Sequence, residues 1–148
     1  MESQYARFSA LHIDVARFAT DDFNPFHDRN KWQRIEGNPF GGTIALGFQL
    51  SSFALHGVTM LHAGAPLAQR YLHVRITFAD AVRVDDEVEL TIRPAQHGAD
   101  GTTVSHRIAL RTERSLALTG HIRFVPDAPG DPPAPVEPSR LNGIRDRS

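Results

Sequence analysis

The chain has 148 residues, a formal net charge of −1 and no cysteine. That length suits one domain with a core of its own, and the missing thiol excludes disulfides, thiolate catalysis and cysteine-ligated zinc. With 16 basic and 17 acidic residues spread along the sequence, there is no electrostatic footprint for nucleic acid or for an anionic membrane surface.

The opening residues Met1-Glu2-Ser3-Gln4-Tyr5 lack the basic-then-apolar order of a secretory signal, so a cytoplasmic protein is expected. Residues 5–10 form a weak strand pattern. Ile13, Val15, Ala16, Phe18 and Ala19 predict a short helix over residues 12–19. A loop follows at Asp22-Phe23-Asn24-Pro25. Its proline pushes Asn24 out of the α region, and Asp or Asn side chains commonly hold such turns. Residues 28–35 predict a short helix capped by Asp28. Gly37-Asn38-Pro39-Phe40-Gly41-Gly42 is a second turn-rich loop.

The most apolar stretch comes next. Ile44, Leu46, Phe48, Leu50, Phe53, Ala54, Leu55, Val58, Met60 and Leu61 cover most of a helix circumference over residues 43–62. Such a helix is buried on most sides. Gln49, Ser51, Ser52, His56 and Thr59 interrupt it, and basic or aromatic anchors are missing at both ends. It therefore predicts a buried helix of a soluble domain, not a membrane span.

The second half alternates. Leu72, Val74, Ile76 and Phe78 recur every second residue, as do Val88, Leu90 and Ile92, then Val104, His106, Ile108 and Leu110, then Leu116, Leu118, Gly120, Ile122 and Phe124. Period two predicts half-buried strands. Asp100-Gly101 is a tight-hairpin signal, and Asp85-Asp86 and Arg114-Ser115 mark other turns. Successive strands with short links predict an antiparallel meander. The expectation is one α+β domain over residues 5–125, its antiparallel sheet curled around a long central helix. Prolines at 126, 129, 132, 133, 135 and 138 set residues 126–148 apart. With few apolar residues to offset ordering entropy, this tail is expected to be extended or disordered.

Asp22 and His27 stand five residues apart across the Asn-Pro turn. One reading is structural: Asp22 holds the turn, and His27 caps or packs. The other is a general acid/base pair. Histidine changes charge near neutral pH, burial lifts a carboxylate toward a useful pKa, and such groups sit on loops of rigid scaffolds. The start of the long helix offers N–H groups without intrahelical partners at the positive end of its dipole, suited to an oxyanion. Gly41, Gly42 and Gly47 permit close approach of a ligand there. Equally, the first two are ordinary loop residues and Gly47 a helix–sheet packing contact.

The other histidines have no zinc-binding spacing. Ser51-Ser52 has no nucleophile elbow, and neither a phosphate-binding Gly-Lys loop nor a dinucleotide fingerprint is present. No metal and no cofactor is expected. Arg70, Arg75, Arg83 and Arg93 read as solvated faces, with one or two available to a ligand's phosphates.

Asp22-Phe23-Asn24-Pro25-Phe26-His27, followed by the glycine-led apolar helix, resembles the hydratase motif of the MaoC-like family, which includes the (R)-specific enoyl-CoA hydratases. Ile76-Thr77-Phe78 with Val82, Val84 and Asp85-Asp86-Glu87-Val88, and later Ala117-Leu118-Thr119-Gly120, resemble the strands after its central helix. The resemblance implies the hotdog fold and a dimer. It implies a substrate that is an acyl thioester of CoA or of a carrier protein. Asp22 and His27 would hold the water that adds across the 2,3 double bond, Asn24 would brace the loop, and the Gly47 N–H would donate to the thioester oxygen. The family commonly has His-Gly-Met where this chain has Leu46-Gly47-Phe48, so Leu46 and Phe48 are expected to shape the substrate pocket. Arg29 replaces a frequent acidic residue. Two other readings stand beside this one: a non-catalytic hotdog subunit that binds a thioester or a partner chain, and a thioesterase. Hotdog thioesterases usually carry an acid in or beside the central helix, and this helix has none.

Overall fold

A computed structural model describes residues 1–62 and 70–125. The proline-rich stretch from 126 onward, expected to be extended or disordered, lies outside the described residues. Among the described residues six strands form one sheet: β1 (Glu2–Arg7), β2 (Arg70–Phe78), β3 (Glu87–Ile92), β4 (Gln96–His97), β5 (Val104–Arg111) and β6 (Leu116–Val125). All pairings are antiparallel, in the order β1-β3-β5-β6-β2, with β4 paired to β5.

The expected meander is corrected at one place. β2 pairs with β6, from Arg70↔Val125 to Phe78↔Leu118, and not with β3. Period two reports which side chains are buried but not which strand lies alongside. The link over residues 79–86 is too long for a tight hairpin and crosses to the far side of the sheet. It is tied down on the way: the Ala79 N–H donates to the Ala117 carbonyl and the Asp85 N–H to that of Phe8, both at 2.9 Å. Asp85 takes a left-handed φ of 63° at the turn into β3. The Asp100-Gly101 hairpin joins β4 to β5. There Asp100 Oδ1 accepts the N–H groups of Thr102 and Thr103.

Helix α1 spans Ala10–Thr20. Ser9 Oγ accepts the His12 N–H, and His12 Nδ1 accepts the Ser9 N–H, a reciprocal cap that satisfies two orphan donors. The helix stops at Asp21, whose φ of 54° is left-handed. The helix expected over residues 28–35 is reduced to a single 3-10 turn, Trp32–Arg34. Asp28 does accept the N–H groups of Asn30 and Lys31. The bonds beyond them run mostly from residue i+3 back to i, and Gly37, with φ 68°, follows at once.

Helix α2 spans Gly47–His62, four residues shorter at its start than the apolar pattern suggests. Residues 43–46 are extended instead because their backbone is claimed elsewhere. The Ala45 N–H donates to the Val82 carbonyl at 2.8 Å and the Val84 N–H to that of Thr43 at 2.9 Å. The helix then begins with Gln49 reaching back, its Oε1 accepting the Leu46 N–H at 3.1 Å. This is half of a capping box.

Leu50, Ala54 and Val58 of α2 pack with Val88, Leu90, Ile92, Ile108, Leu110, Leu118, Ile122 and Phe124 of the sheet. Full burial of each large side chain stabilises the fold by about 1.5–3 kcal/mol. Gly57 admits a close approach of helix and sheet: a Cβ there would stand 2.6 Å from Leu90 Cδ2 and 2.7 Å from Gln4 Oε1. The expectation of a helix enclosed on most sides is only half met. The sheet covers one face, and Phe48, Met60 and Leu61 remain exposed. No helix among the described residues is long and apolar enough to cross a membrane.

Candidate active site

The loop after α1 braces itself. The Asp22 N–H donates to the Arg17 carbonyl at 2.9 Å. Asp22 Oδ1 accepts the Asn24 N–H at 3.0 Å, and Asn24 Oδ1 accepts the Phe26 N–H at 3.1 Å. Pro25–His27 then makes one 3-10 turn with Asn24 as its N-cap. Proline suits that turn because its φ is already set and its missing N–H is not needed there.

His27 is fixed from the other side. Its Nδ1 lies 2.9 Å from the Ile44 carbonyl oxygen. A carbonyl only accepts, so Nδ1 carries the proton, and in the neutral ring Nε2 keeps its lone pair. The Ile44 N–H donates in turn to the Phe26 carbonyl at 3.1 Å. The His27 turn and the lead-in to α2 are therefore locked together. Nε2 of His27 faces Asp22 Oδ2 at 3.9 Å, with the histidine side chain 11 % and the aspartate side chain 39 % exposed. That separation is too long for a direct hydrogen bond.

His27 opens onto a cavity of about 360 Å³, shared with Phe40, Ile44, Gly47, Phe78 and Asp80. Gly47 is the first residue of α2, so its N–H belongs to the turn that lacks intrahelical acceptors. A Cβ on Gly47 would stand 3.2 Å from Cζ of Phe78. The bare Gly47 backbone is thus the cavity wall beneath the Phe78 ring.

Neither protein-family models nor curated protein sequences give a match to this chain. Solved structures do. An (R)-hydratase from A. caviae involved in PHA biosynthesis has a TM-score of 0.69 at 23% identity, over 84% of this chain and 92% of that one. The R-hydratase PhaJ1 from Pseudomonas aeruginosa gives 0.70 at 14% identity, over 92% and 90%. A MaoC-like dehydratase from Rhodospirillum rubrum gives 0.61 at 20% identity, over 86% and 90%. The chain has the hotdog fold.

Within this hotdog domain His27 and Gly47 line one cavity, Asp22 stands across a gap from His27, and Asn24 braces the loop between them. Leu46 and Phe48 do not join them, and the expectation that they shape the same pocket is corrected. Leu46 is 1 % exposed and part of the core. Phe48 is 43 % exposed and lines a different groove of about 630 Å³, against Phe8, Leu11 and Val15. Successive residues at a helix start turn by about 100°, so three neighbours in sequence face core, cavity and groove. Gly41 and Gly42 are loop residues away from the cavity lining, and Gly41 serves its left-handed φ of 64°.

Sequence reasoning missed Asp80, which lines the cavity and accepts the Ala81 N–H at 2.8 Å. Nothing in its local spacing marks it; only the path of the β2–β3 link brings it there. It also missed the ion cluster under the loop, where Arg17, Asp28 and Asp14 meet. The Asn30 N–H is the main cause holding the Asp28 carboxyl below the ordinary carboxylate range. The Lys31 N–H and the Arg17 guanidinium add to it, against the opposing effect of burial. Among the described residues, no group of three or more His, Cys, Asp or Glu is placed to hold a metal ion.

Proposed function

We propose that this hotdog domain is a hydratase or dehydratase of an acyl thioester, converting an enoyl-CoA and water to the (R)-3-hydroxyacyl-CoA or the reverse. One observation carries the reading: Nε2 of His27, the ring nitrogen not bonded to the Ile44 carbonyl, faces Asp22 Oδ2 at 3.9 Å. One water at ordinary hydrogen-bond lengths from both atoms spans that gap. It would donate one hydrogen to each and present its oxygen to the substrate.

In the forward direction the water oxygen bonds to C3 as Asp22 takes one of its protons. The C2–C3 π electrons move onto the thioester, and the negative charge on its oxygen is met by the Gly47 N–H at the positive end of α2. The proton taken by Asp22 passes to Nε2 of His27, across a gap that closes when the water has reacted, and from Nε2 to C2, so that both groups return to their starting states. Atoms balance: H and OH of one water are added across the double bond. Asn24 acts by holding the loop. Phe40 and Phe78 supply apolar wall for the acyl group, and no cofactor is required.

The test is hydration of crotonyl-CoA and longer enoyl-CoA or carrier-protein thioesters by the purified chain. Asp22→Asn and His27→Ala should each lower turnover by about 10²–10⁴-fold, read from loss of the conjugated thioester absorbance. Wild-type rates in both variants would sink the proposal. Release of free thiol in place of hydration would point to a thioesterase.

A homodimer belongs to the same reading. Leu72, Val74 and Phe78 stand exposed on β2, a strand at the edge of the sheet, and an apolar edge of that kind seeks a partner. Light scattering should report twice the chain mass; a single-chain mass would refute it.

A further inference from the structure

Arg17 is 6 % exposed at the end of α1, and none of the chemistry above uses it. Its backbone and its side chain act on opposite ends of the same loop. The Arg17 carbonyl accepts the N–H groups of Asp21 and Asp22. The guanidinium Nη2 donates to Asp28 Oδ2 at 2.9 Å, and Asp28 is the residue directly after His27. Nη1 donates to Asp14 Oδ1 at 3.2 Å, while Arg29 Nη2 holds Asp14 Oδ2 at 2.6 Å. Asp28 Oδ1 is itself fixed by the N–H groups of Asn30 and Lys31.

We propose that Arg17 is a positioning residue, setting the separation of Asp22 and His27 by clamping both ends of the loop that carries them. The proposal rests on the hydratase reading of that pair.

Stability alone is a poor account of this arrangement. A buried ion pair loses in desolvation much of what it gains by attraction, and an apolar pair of similar volume often serves as well. Arg17 also leaves its Nε buried without a hydrogen-bond partner, a further cost. What the pair provides is geometry. The guanidinium is a rigid planar fork that engages two carboxylates in fixed directions, which the single point charge of lysine does not reproduce. The Asp22 side chain is partly exposed, and among the described residues its one hydrogen bond is from the Asn24 N–H. Its distance from His27 therefore depends on how the two ends of the loop are pinned.

The experiment compares the full-length wild type with Arg17→Met and Arg17→Lys. It measures kcat, KM, the unfolding midpoint and the ¹⁵N-coupled imidazole proton signals of His27. Arg17→Met should lower kcat by roughly 100-fold, the scale of a 1 Å misplacement, with KM changed less than about twofold. Arg17→Lys should restore part of kcat. Gly57→Ala, which strains the helix–sheet contact far from the loop, is the control: its midpoint should fall while kcat holds. If Arg17→Met loses stability but keeps the wild-type kcat, Arg17 is merely structural and the proposal is overturned. Should Arg17→Met fail to fold, Arg17→Lys and Asp28→Asn decide. A kcat at least roughly tenfold lower supports the clamp, and an unchanged kcat overturns it. If the wild type hydrates no enoyl thioester, the hydratase reading fails on its own. The His27 signals then judge the clamp: a shifted, faster-exchanging Nδ1–H in the Arg17 variants supports it, and an unchanged one overturns it.

Discussion

Two histidines stand near opposite ends of α2, and they differ in one nitrogen. His106 on β5 is 4 % exposed. Its Nδ1–H donates to the Arg93 carbonyl at 2.8 Å. Its Nε2 accepts from His62 Nε2, on the last residue of the helix, at 2.6 Å, and its ring stacks on Phe124. His27, beside the first residue of the helix, has its Nδ1 fixed in the same way by the Ile44 carbonyl. The tautomers are alike. At His106 the second nitrogen is already satisfied by protein; at His27 it faces a carboxylate across a gap, at the wall of a cavity. Chemistry is available where one nitrogen orients the ring and the other is left for a ligand.

Exchanging the effects of substitution at the two sites is the strongest way to break this comparison. His27→Ala should lower turnover by about 10²–10⁴-fold, while loss of its bond to the Ile44 carbonyl costs about 1–2 kcal/mol of stability, less than at His106. His106→Ala should do the reverse. It strands the Arg93 carbonyl and opens a hole beside Phe124, costing about 2–4 kcal/mol by urea unfolding. Turnover per folded molecule should stay within about threefold, since additivity holds between distant sites. A large turnover loss in folded His106→Ala would mean that both ends of the helix serve the reaction.

A smaller effect sharpens the comparison at the His27 end. Gly47→Ala replaces glycine in the first turn of a helix, which favours stability by up to about 1 kcal/mol. The three atoms nearest the added methyl all belong to the Phe78 ring, the first at 3.2 Å, so that half-exposed ring must give by a few tenths of an ångström. Stability should change by less than about 1 kcal/mol, while turnover falls about tenfold because the methyl crowds the N–H that we propose meets the thioester oxygen. Unchanged turnover would remove Gly47 from the site.

What was legible in the sequence follows from how local each cause is. The Asn24-Pro25 turn, the strand faces and the core of α2 are set by neighbouring residues, and their patterns survive in the linear text. The pairing of β2 with β6 depends on which strand closes the sheet, and alternation carries no trace of it. The start of α2 was misplaced because residues 43–46 are apolar enough for a helix, yet their backbone bonds go to Val82 and Val84. Leu46 and Phe48 looked like one constellation with Gly47 because sequence proximity hides the angular step of a helix. Asp80 and Arg17 went unseen for a related reason. Each acts on residues that the fold, not the spacing, brings to it.

The cavity has no wall that one stretch of chain supplies alone. Its floor joins residue 27 to 44, residue 45 to 82, and residue 47 to 78, and the strand that carries Phe78 is anchored to β6. Contacts so far apart in sequence form only after long loops have closed, which is the slow part of assembling a chain. A growing polypeptide that has already made α1, the Asn24-Pro25 turn and α2 therefore possesses Asp22, His27 and the Gly47 N–H without possessing the cavity. The last strand to be synthesised in the described domain is the one that anchors the strand bearing Phe78 beside Gly47, so the cavity arrives with the completion of the sheet.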